Sequence, residues 1–345
     1  MLIQNNVKLT NKVIRIYVLS FGSMIEIEGV RYVKKNKVSV VVPCFNEEDV
    51  LPIFIEEIIN VFDNKLNNVK LELIFIDDGS KDNTLNTIKK YSIMNEAIKY
   101  ISFSRNFGKE GAIYAGLKYS SGDYIVIMDS DMQHPPQLIP EMYNQIIDGN
   151  YDMVGTFRRN RKGERPIRSF LSHNFYKVIN KVSEITIIEN SMDFRMLTRR
   201  SVNAILELSE YNRFSKGIFS WIGFDTKYLS FDNVERAAGD TKWSLSSLLK
   251  YSMEGCFAFS TFPLTISSYL GIGLCGVSLF IIVIMLIQSL LYGIDGSGYV
   301  SIICTLLMIG GMQLFCLGIV GQYIAKIYLE CKDRPKFIIK DSNVE

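Results

Sequence analysis

The stretch "YIVIMDSDMQHPPQ", residues 124–137, carries most of the reading of this chain. Apolar and β-branched residues run up to Asp129, Asp131 follows two positions on, then Gln133 and a double proline. On an extended strand, residues two apart share a face. If the strand persists through Asp131, two carboxylates are brought close enough to repel, and a cation relieves the repulsion. Mg2+ or Mn2+ takes oxygen ligands of this kind, one or two carboxylates plus substrate phosphates, and the Gln133 amide oxygen could be a third protein ligand. The alternative is a solvated Asp-Ser-Asp turn capping the next helix, and this stretch alone leaves both readings open.

Working outward, apolar runs alternate with helical patterns from 38 to 157. "VSVVVP" (38–43), "LELIFI" (71–76), "IKYISF" (98–103), "YIVIMD" (124–129) and "DMVGTF" (152–157) read as strands, with helices near 49–63, 82–94, 109–120 and 137–148. Short all-apolar strands separated by helices predict an α/β fold with a mostly parallel sheet covered on both faces. Ligands of such sheets sit beyond the carboxyl ends of the strands. Polar residues fall there: Asn46 and Glu47, Asp77 and Asp78, Ser104 and Arg105, then Asp129 and Asp131. No Gly-x-Gly-x-x-Gly follows the first strand and no Gly-Lys-Ser/Thr loop occurs, so a nucleotide would need a metal and arginines for its phosphates.

Arginines are concentrated in "GTFRRNRKGERPIRSFLS" (155–172), where Arg158, Arg159, Arg161, Lys162, Arg165 and Arg168 crowd together. A solvated loop accounts for most of them, but bidentate arginine contacts suit lipid phosphates. Arg168 and Ser172 lie four apart on one helix face and are candidates for a fixed phosphate contact. Asp193 and Arg195 alternate in a strand-like stretch, as a structural ion pair or as site residues. Arg236 and Lys242 flank a glycine turn that could close over a phosphate.

The 345 residues carry a net charge of +2, which gives no polyanion-binding signal and argues against nucleic acid. Six cysteines (Cys44, Cys256, Cys275, Cys304, Cys316, Cys331) have no metal-ligand spacing, and His134 and His173 are too few for a zinc site. Residues 255–294 and 296–325 contain no charged side chain, and each run exceeds the roughly 20 apolar residues that cross a bilayer. Lys242 and Lys250 precede the first run; Lys326, Lys332, Arg334, Lys336 and Lys340 follow the second. The positive-inside rule puts both ends, and the large N-terminal domain, in the cytoplasm. "VIRIYVLSF" near the start is short, broken by Arg15 and lacks a cleavage site, so it is not read as a signal peptide. Met24 is an alternative initiator.

Taken together, "VVPCFNEE" (41–48), "DDGS" (77–80), "SRNFGKEGA" (104–112), "DSDMQHPP" (129–136), "DFR" (193–195) and "RAAGDTKW" (236–243) resemble glycosyltransferase family two, with a GT-A catalytic domain. More narrowly, the chain is similar to polyprenyl-phosphate glycosyltransferases. These include dolichol-phosphate mannose synthase and the bacterial undecaprenyl-phosphate glucosyl- and N-acetylglucosaminyltransferases. The resemblance implies that Pro43, Glu47, Asp77 and Asp78 line the nucleotide pocket, joined by Asp129. It implies that Asp129, Asp131 and Gln133 hold a divalent cation, Mg2+ or Mn2+. Arg158, Arg168, Ser172, Arg236 and Lys242 would handle donor and acceptor phosphates. Asp193 would stand at the reacting centre, with Asp131 and Arg195 also catalytic.

The implied domains are an N-terminal extension (1–36), a GT-A domain (37–243), a juxtamembrane amphipathic helix (244–260), a two-helix transmembrane hairpin (261–326) and a cytosolic tail (327–345). The implied reaction is inverting transfer of a hexose from UDP-N-acetylglucosamine or UDP-glucose to undecaprenyl phosphate, for teichoic-acid or other envelope glycosylation. A flippase, a downstream envelope glycosyltransferase and a second copy of the chain are the implied partners. Hydroxyl-acceptor transfer, nucleotidyl transfer and a non-enzymatic scaffold are the competing readings; a hydroxyl acceptor would demand a clear general base.

Overall fold

The computed structural model describes residues 3–9, 12–19, 22–27, 30–158, 180, 188, 191–232, 260, 262–292 and 298–344. Two compact units divide the chain: residues 1–176, 187–243 and 335–345 form one, and residues 177–186 and 244–334 form the other.

Four strands lead the first unit: β1 (Ile3–Leu9), β2 (Lys12–Leu19), β3 (Gly22–Ile27) and β4 (Val30–Lys35). They pair in sequence order as an antiparallel meander. The apolar run "VIRIYVLSF" therefore supplies most of β2.

The catalytic-type sheet follows. Its elements are β5 (Lys37–Cys44), α1 (Leu51–Lys65), β6 (Lys70–Asp77), α2 (Thr84–Met94), β7 (Ile98–Phe103), α3 (Lys109–Tyr119), β8 (Tyr124–Ile127), α4 (Ile139–Gly149), β9 (Met153–Arg158), β10 (Ser191–Thr198), α5 (Arg199–Glu207), α6 (Ser215–Trp221) and β11 (Thr226–Phe231). After α7 (Phe262–Tyr292) and α8 (Tyr299–Cys331), β12 (Ile339–Ser342) completes the sheet. The order is β11-β9-β10-β8-β5-β6-β7-β12. β5 pairs in parallel with β6 and β8, β6 with β7, and β9 with β11; β10 and β12 run antiparallel to their neighbours.

All five strands expected between 38 and 157 are present, because their valines and isoleucines are buried: Val38, Val40, Val41, Val42, Ile74, Ile76 and Val126 are fully covered. Two boundaries differ from the sequence reading in a way that matters. β8 ends at Ile127, so Asp129 and Asp131 leave the strand and flank a turn. And residues 327–345 are not simply a tail: α8 continues to Cys331, and the chain then returns to the sheet as β12. A juxtamembrane helix at 244–260 lies outside the described residues, apart from Ser260.

One buried carboxylate braces the end of the sheet away from the site. Glu72 is 7% exposed and accepts from the Lys37 ammonium, the Ser39 hydroxyl and the backbone N–H and hydroxyl of Ser121. Burial works to raise its pKa, but Lys37 and the two serines more than offset this and leave it lowered. A depressed carboxylate contributes stability above its unfolded pKa of about 4.3 and loses it as pH falls through the folded value. Glu72→Gln is therefore expected to destabilise the domain by about 2 kcal/mol at neutral pH. The gap from the parent should close on acidification below about pH 4. Denaturant titrations followed by tryptophan fluorescence at both pH values check this.

In the second unit, α7 and α8 each contain a stretch long and apolar enough to cross a membrane, Phe262–Ile281 and Met308–Cys331. Their apolar side chains are not packed away: Ile272, Phe280, Leu290, Leu314 and Leu317 are all more than 60% exposed. An apolar surface of this kind is expected against lipid and is unfavourable in water.

Candidate active site

The strand directions decide what gathers at one edge of the sheet. β5, β6, β7, β8 and β9 all run the same way, so their carboxyl ends share an edge; β10 runs against them, so its first residues arrive there too. This places Asp77, Asp78, Asp129 and Arg158 at one rim with Asp193, though Asp193 is more than 60 residues beyond Asp129 in the chain.

The loops after β5 and β6 are tied together. Asn46, with φ 54°, donates through its backbone N–H to Ser80 Oγ at 3.0 Å and accepts from Lys81 N–H at 2.9 Å. The Glu47 N–H donates to Thr84 Oγ1 at 2.8 Å, and the Glu48 carboxylate accepts from Asn83 N–H at 2.6 Å. Asp77 accepts from Ser80 N–H and from the Ser102 hydroxyl at 3.0 and 2.8 Å. Asp78 accepts from Phe107 N–H and Gly108 N–H at 2.6 and 2.9 Å; burial raises its pKa in spite of these donors. The two aspartates expected in a nucleotide pocket thus tie the loop after β6 to β7 and to the segment leading into α3. Gly79 follows them at φ 71°, where a Cβ would lie 2.6 Å from the Arg105 carbonyl carbon, so the close approach needs glycine. Pro43 lies within β5, paired to Ile76.

Lys109 is the residue that sequence reasoning passed over. It opens α3, directly after Gly108 at φ 92°. A lysine in the first turn runs against the helix dipole, and two carboxylates compensate. The ammonium lies 2.7 Å from an Asp129 oxygen and 2.7 Å from Asp193 Oδ2. Partial withdrawal from water disfavours the lysine's charge, yet Asp129 and Asp193 together hold it protonated. Burial likewise pushes the Asp193 carboxyl up, but Lys109, then Lys216 and Arg195, hold it well below the usual carboxylate range. The quoted motif "SRNFGKEGA" contained Lys109, but nothing local says which acids it meets, 20 and 84 residues away.

Asp193 and Arg195, expected to face one way as an ion pair or as site residues, make different closest contacts, although the Arg195 charge still acts on Asp193. The register of β10 against β9 shifts between Ser191 and Arg195, which breaks strict alternation. Arg195 is 2% exposed, stacks its guanidinium 3.7 Å above the Phe219 ring and donates to the Met192 carbonyl at 2.9 Å. It supports the strand carrying Asp193 from behind. Next to Lys109, half-buried Glu110 accepts from the backbone N–H and hydroxyl of Ser215 and so fixes the start of α6.

In the 129–134 turn, Asp131 Oδ1 accepts from Gln133 N–H at 3.1 Å, and Gln133 Oε1 accepts from Arg158 Nη2 at 3.0 Å. His134 is buried between Phe194 and Phe231, with Nδ1 accepting from the Asp129 N–H at 3.3 Å and no hydrogen-bond partner for Nε2 among the described residues. It holds the turn from below, a role its sequence position did not reveal. No group of three or more His, Cys, Asp or Glu that could hold a metal occurs among the described residues. The donor set of Asp129, Asp131 and Gln133 nevertheless fits a hard divalent ion, which needs only one or two carboxylates when phosphates complete its shell. Arg168, Ser172, Arg236 and Lys242 lie outside the described residues.

A sheet with its polar side chains collected past the carboxyl ends of parallel strands is that of an α/β enzyme. The chain belongs to glycosyl transferase family 2. The family's model matches residues 39–206. The chain is 44% identical over 311 residues to CsbB of Bacillus subtilis (strain 168), which carries a glycosyltransferase name; the match spans 90% of this chain and 93% of that one. It is 39% identical over 307 residues to the SfII prophage-derived bactoprenol glucosyl transferase of Shigella flexneri, across 89% of this chain and 98% of that one. Among solved structures, glucosyl-3-phosphoglycerate synthase from Mycobacterium tuberculosis gives a TM-score of 0.44 at 20% identity, over 64% of this chain and 78% of that one. The fold that the resemblance implied, an α/β domain followed by two long apolar helices, is the fold found.

Proposed function

We propose that this glycosyltransferase moves a hexose, glucose in the first instance, from a UDP-sugar to the phosphate of a membrane polyprenyl lipid. The observation that carries the reading is the Lys109–Asp193 pair at 2.7 Å. A hydroxyl acceptor needs a base whose pKa lies near working pH. Asp193, pinned by a cation and held low, is a poor base. A phosphate acceptor is already anionic and needs none.

In this reading an acceptor phosphate oxygen attacks the sugar C1 as the bond from C1 to the UDP oxygen breaks, with that electron pair leaving on UDP. One in-line displacement inverts the anomeric centre, and no proton moves. Asp129, Asp131 and Gln133 would hold a divalent cation, whose charge neutralises the departing diphosphate. Arg158 donates to the Gln133 amide oxygen at 3.0 Å, so that oxygen would have to share this donor or give it up to meet the cation. Asp193 orients the donor sugar or the acceptor. The bactoprenol glucosyl transferase names of relatives at 38–39% identity favour the lipid phosphate and glucose.

The apolar helices support a membrane setting. Residues before α7 and the β12 strand after α8 belong to one sheet, so two crossings would return the chain to the side it left. With the lysines around both runs, that side is the cytoplasm.

Purified protein in detergent, given undecaprenyl phosphate, Mn2+ and labelled UDP-glucose, UDP-N-acetylglucosamine, UDP-galactose or GDP-mannose, tests the reading. Label is expected from UDP-glucose in an organic-extractable, mild-acid-labile lipid, and EDTA should abolish it. Nucleotide release without lipid labelling would overturn the phosphate acceptor in favour of a hydroxyl one.

A further inference from the structure

We infer that Lys109 is a resident counter-cation of the site, which bridges Asp129 and Asp193 and gives up Asp129 when a divalent cation arrives. The inference rests on the proposed metal-dependent transfer and concerns how the same site is regulated.

Three observations lead to it. First, Asp129 is bound by Lys109 at 2.7 and 2.9 Å, so an incoming metal must compete with a cation already bound to the same carboxylate. Second, the backbone bearing Lys109 is clamped on both sides. Asp78 holds Phe107 and Gly108 N–H on one side, and Glu110 is held by Ser215 on the other. The Cα cannot drift away, but the four-carbon stem can swing. Third, the Lys109 side chain is 40% exposed, with Asp129 at 27% and Asp193 at 19%, so an ion can reach the pair without opening the core.

Exchange then has a defined outcome. Asp129 turns its oxygens to the ion, while Lys109 stays with Asp193 and keeps that carboxylate anionic and paired. The ammonium also becomes free to meet the phosphate charge that a sugar nucleotide brings with the ion. Lys109 would thus weaken metal binding when no donor is present, and a diphosphate between the two positive charges would ease their repulsion.

The test uses the full chain in detergent and Mn2+ alone as the probe, with free Mn2+ counted by electron paramagnetic resonance. Lys109→Gln is expected to bind Mn2+ about tenfold or more tightly than the parent without donor, the scale of removing one like charge from contact. Its transfer activity should nevertheless fall. Lys109→Arg, which keeps the charge, should bind Mn2+ like the parent. A Lys109→Gln protein with equal or weaker Mn2+ affinity would overturn the inference. The parent supplies a second measurement independent of any variant's folding: the rate of Lys109 modification by an amine-reactive reagent, read by mass spectrometry. That rate should rise when Mn2+ is added, and an unchanged rate would also overturn the inference. If no variant binds Mn2+, the metal-dependent reading itself fails. If lipid labelling fails while Mn2+ competition holds, only the acceptor is wrong.

Discussion

Asp129→Asn is expected to lower sugar transfer by about three orders of magnitude, the equivalent of about 4 kcal/mol in the barrier. Asparagine keeps the shape of the side chain and leaves the backbone N–H that donates to His134, so the turn should stay folded. The loss is one of charge. A neutral amide cannot hold a hard cation as a carboxylate does, and it leaves Lys109 with Asp193 alone. Two readouts separate this from unfolding: the melting profile should hold within a few degrees, and excess Mn2+ should restore only part of the rate. A variant retaining more than about a tenth of parental activity would show that Asp129 is not the central ligand.

Ending the chain after Arg334 is expected to destabilise the catalytic unit by about 4 kcal/mol. The deleted residues contribute several contacts at once. Phe337 stacks on Phe103 with ring centroids 5.1 Å apart and meets Tyr119 edge-on at 6.4 Å. The Ile338 carbonyl accepts from Ser104 N–H at 3.0 Å, and Asn343 exchanges hydrogen bonds with the Tyr100 backbone at 2.6 and 3.2 Å. By contrast the Lys89–Asp341 ion pair is more than a third exposed on both sides, so Asp341→Asn alone should cost well under 1 kcal/mol. Because Ser104 begins the loop that Asp78 anchors before Lys109, the truncated enzyme should also lose activity beyond its loss of folded protein. Denaturant midpoints and activity per folded molecule check both parts. An unchanged midpoint would show that β12 is ornamental to the sheet.

These expectations depend unequally on sequence and on fold. The alternating apolar runs of 38–157 determine the α/β class, because valine and isoleucine at those positions can be covered only inside a sheet flanked by helices. The two uncharged runs of 255–325 determine a pair of apolar helices, because neither has a polar face to show water. The motif "DSDMQHPP" points to the candidate site, although the turn after Ile127 rather than a continued strand sets its carboxylates.

Tertiary structure alone decides who meets whom. Lys109 reaches Asp193 across 84 residues because β10 runs antiparallel and brings its first residues to the edge where α3 begins. Arg195, read from sequence as an ion-pair partner of Asp193 or a site residue, stacks on Phe219 and donates to the Met192 carbonyl while its charge still helps hold Asp193 low, a combination that only the folded strand shows. Residues 339–342 become an edge strand because β7 leaves one side of its backbone unpaired, a vacancy only the folded sheet presents. Periodicity records which residues are covered, whereas ion pairs and strand partners depend on distances that close only when the chain has folded.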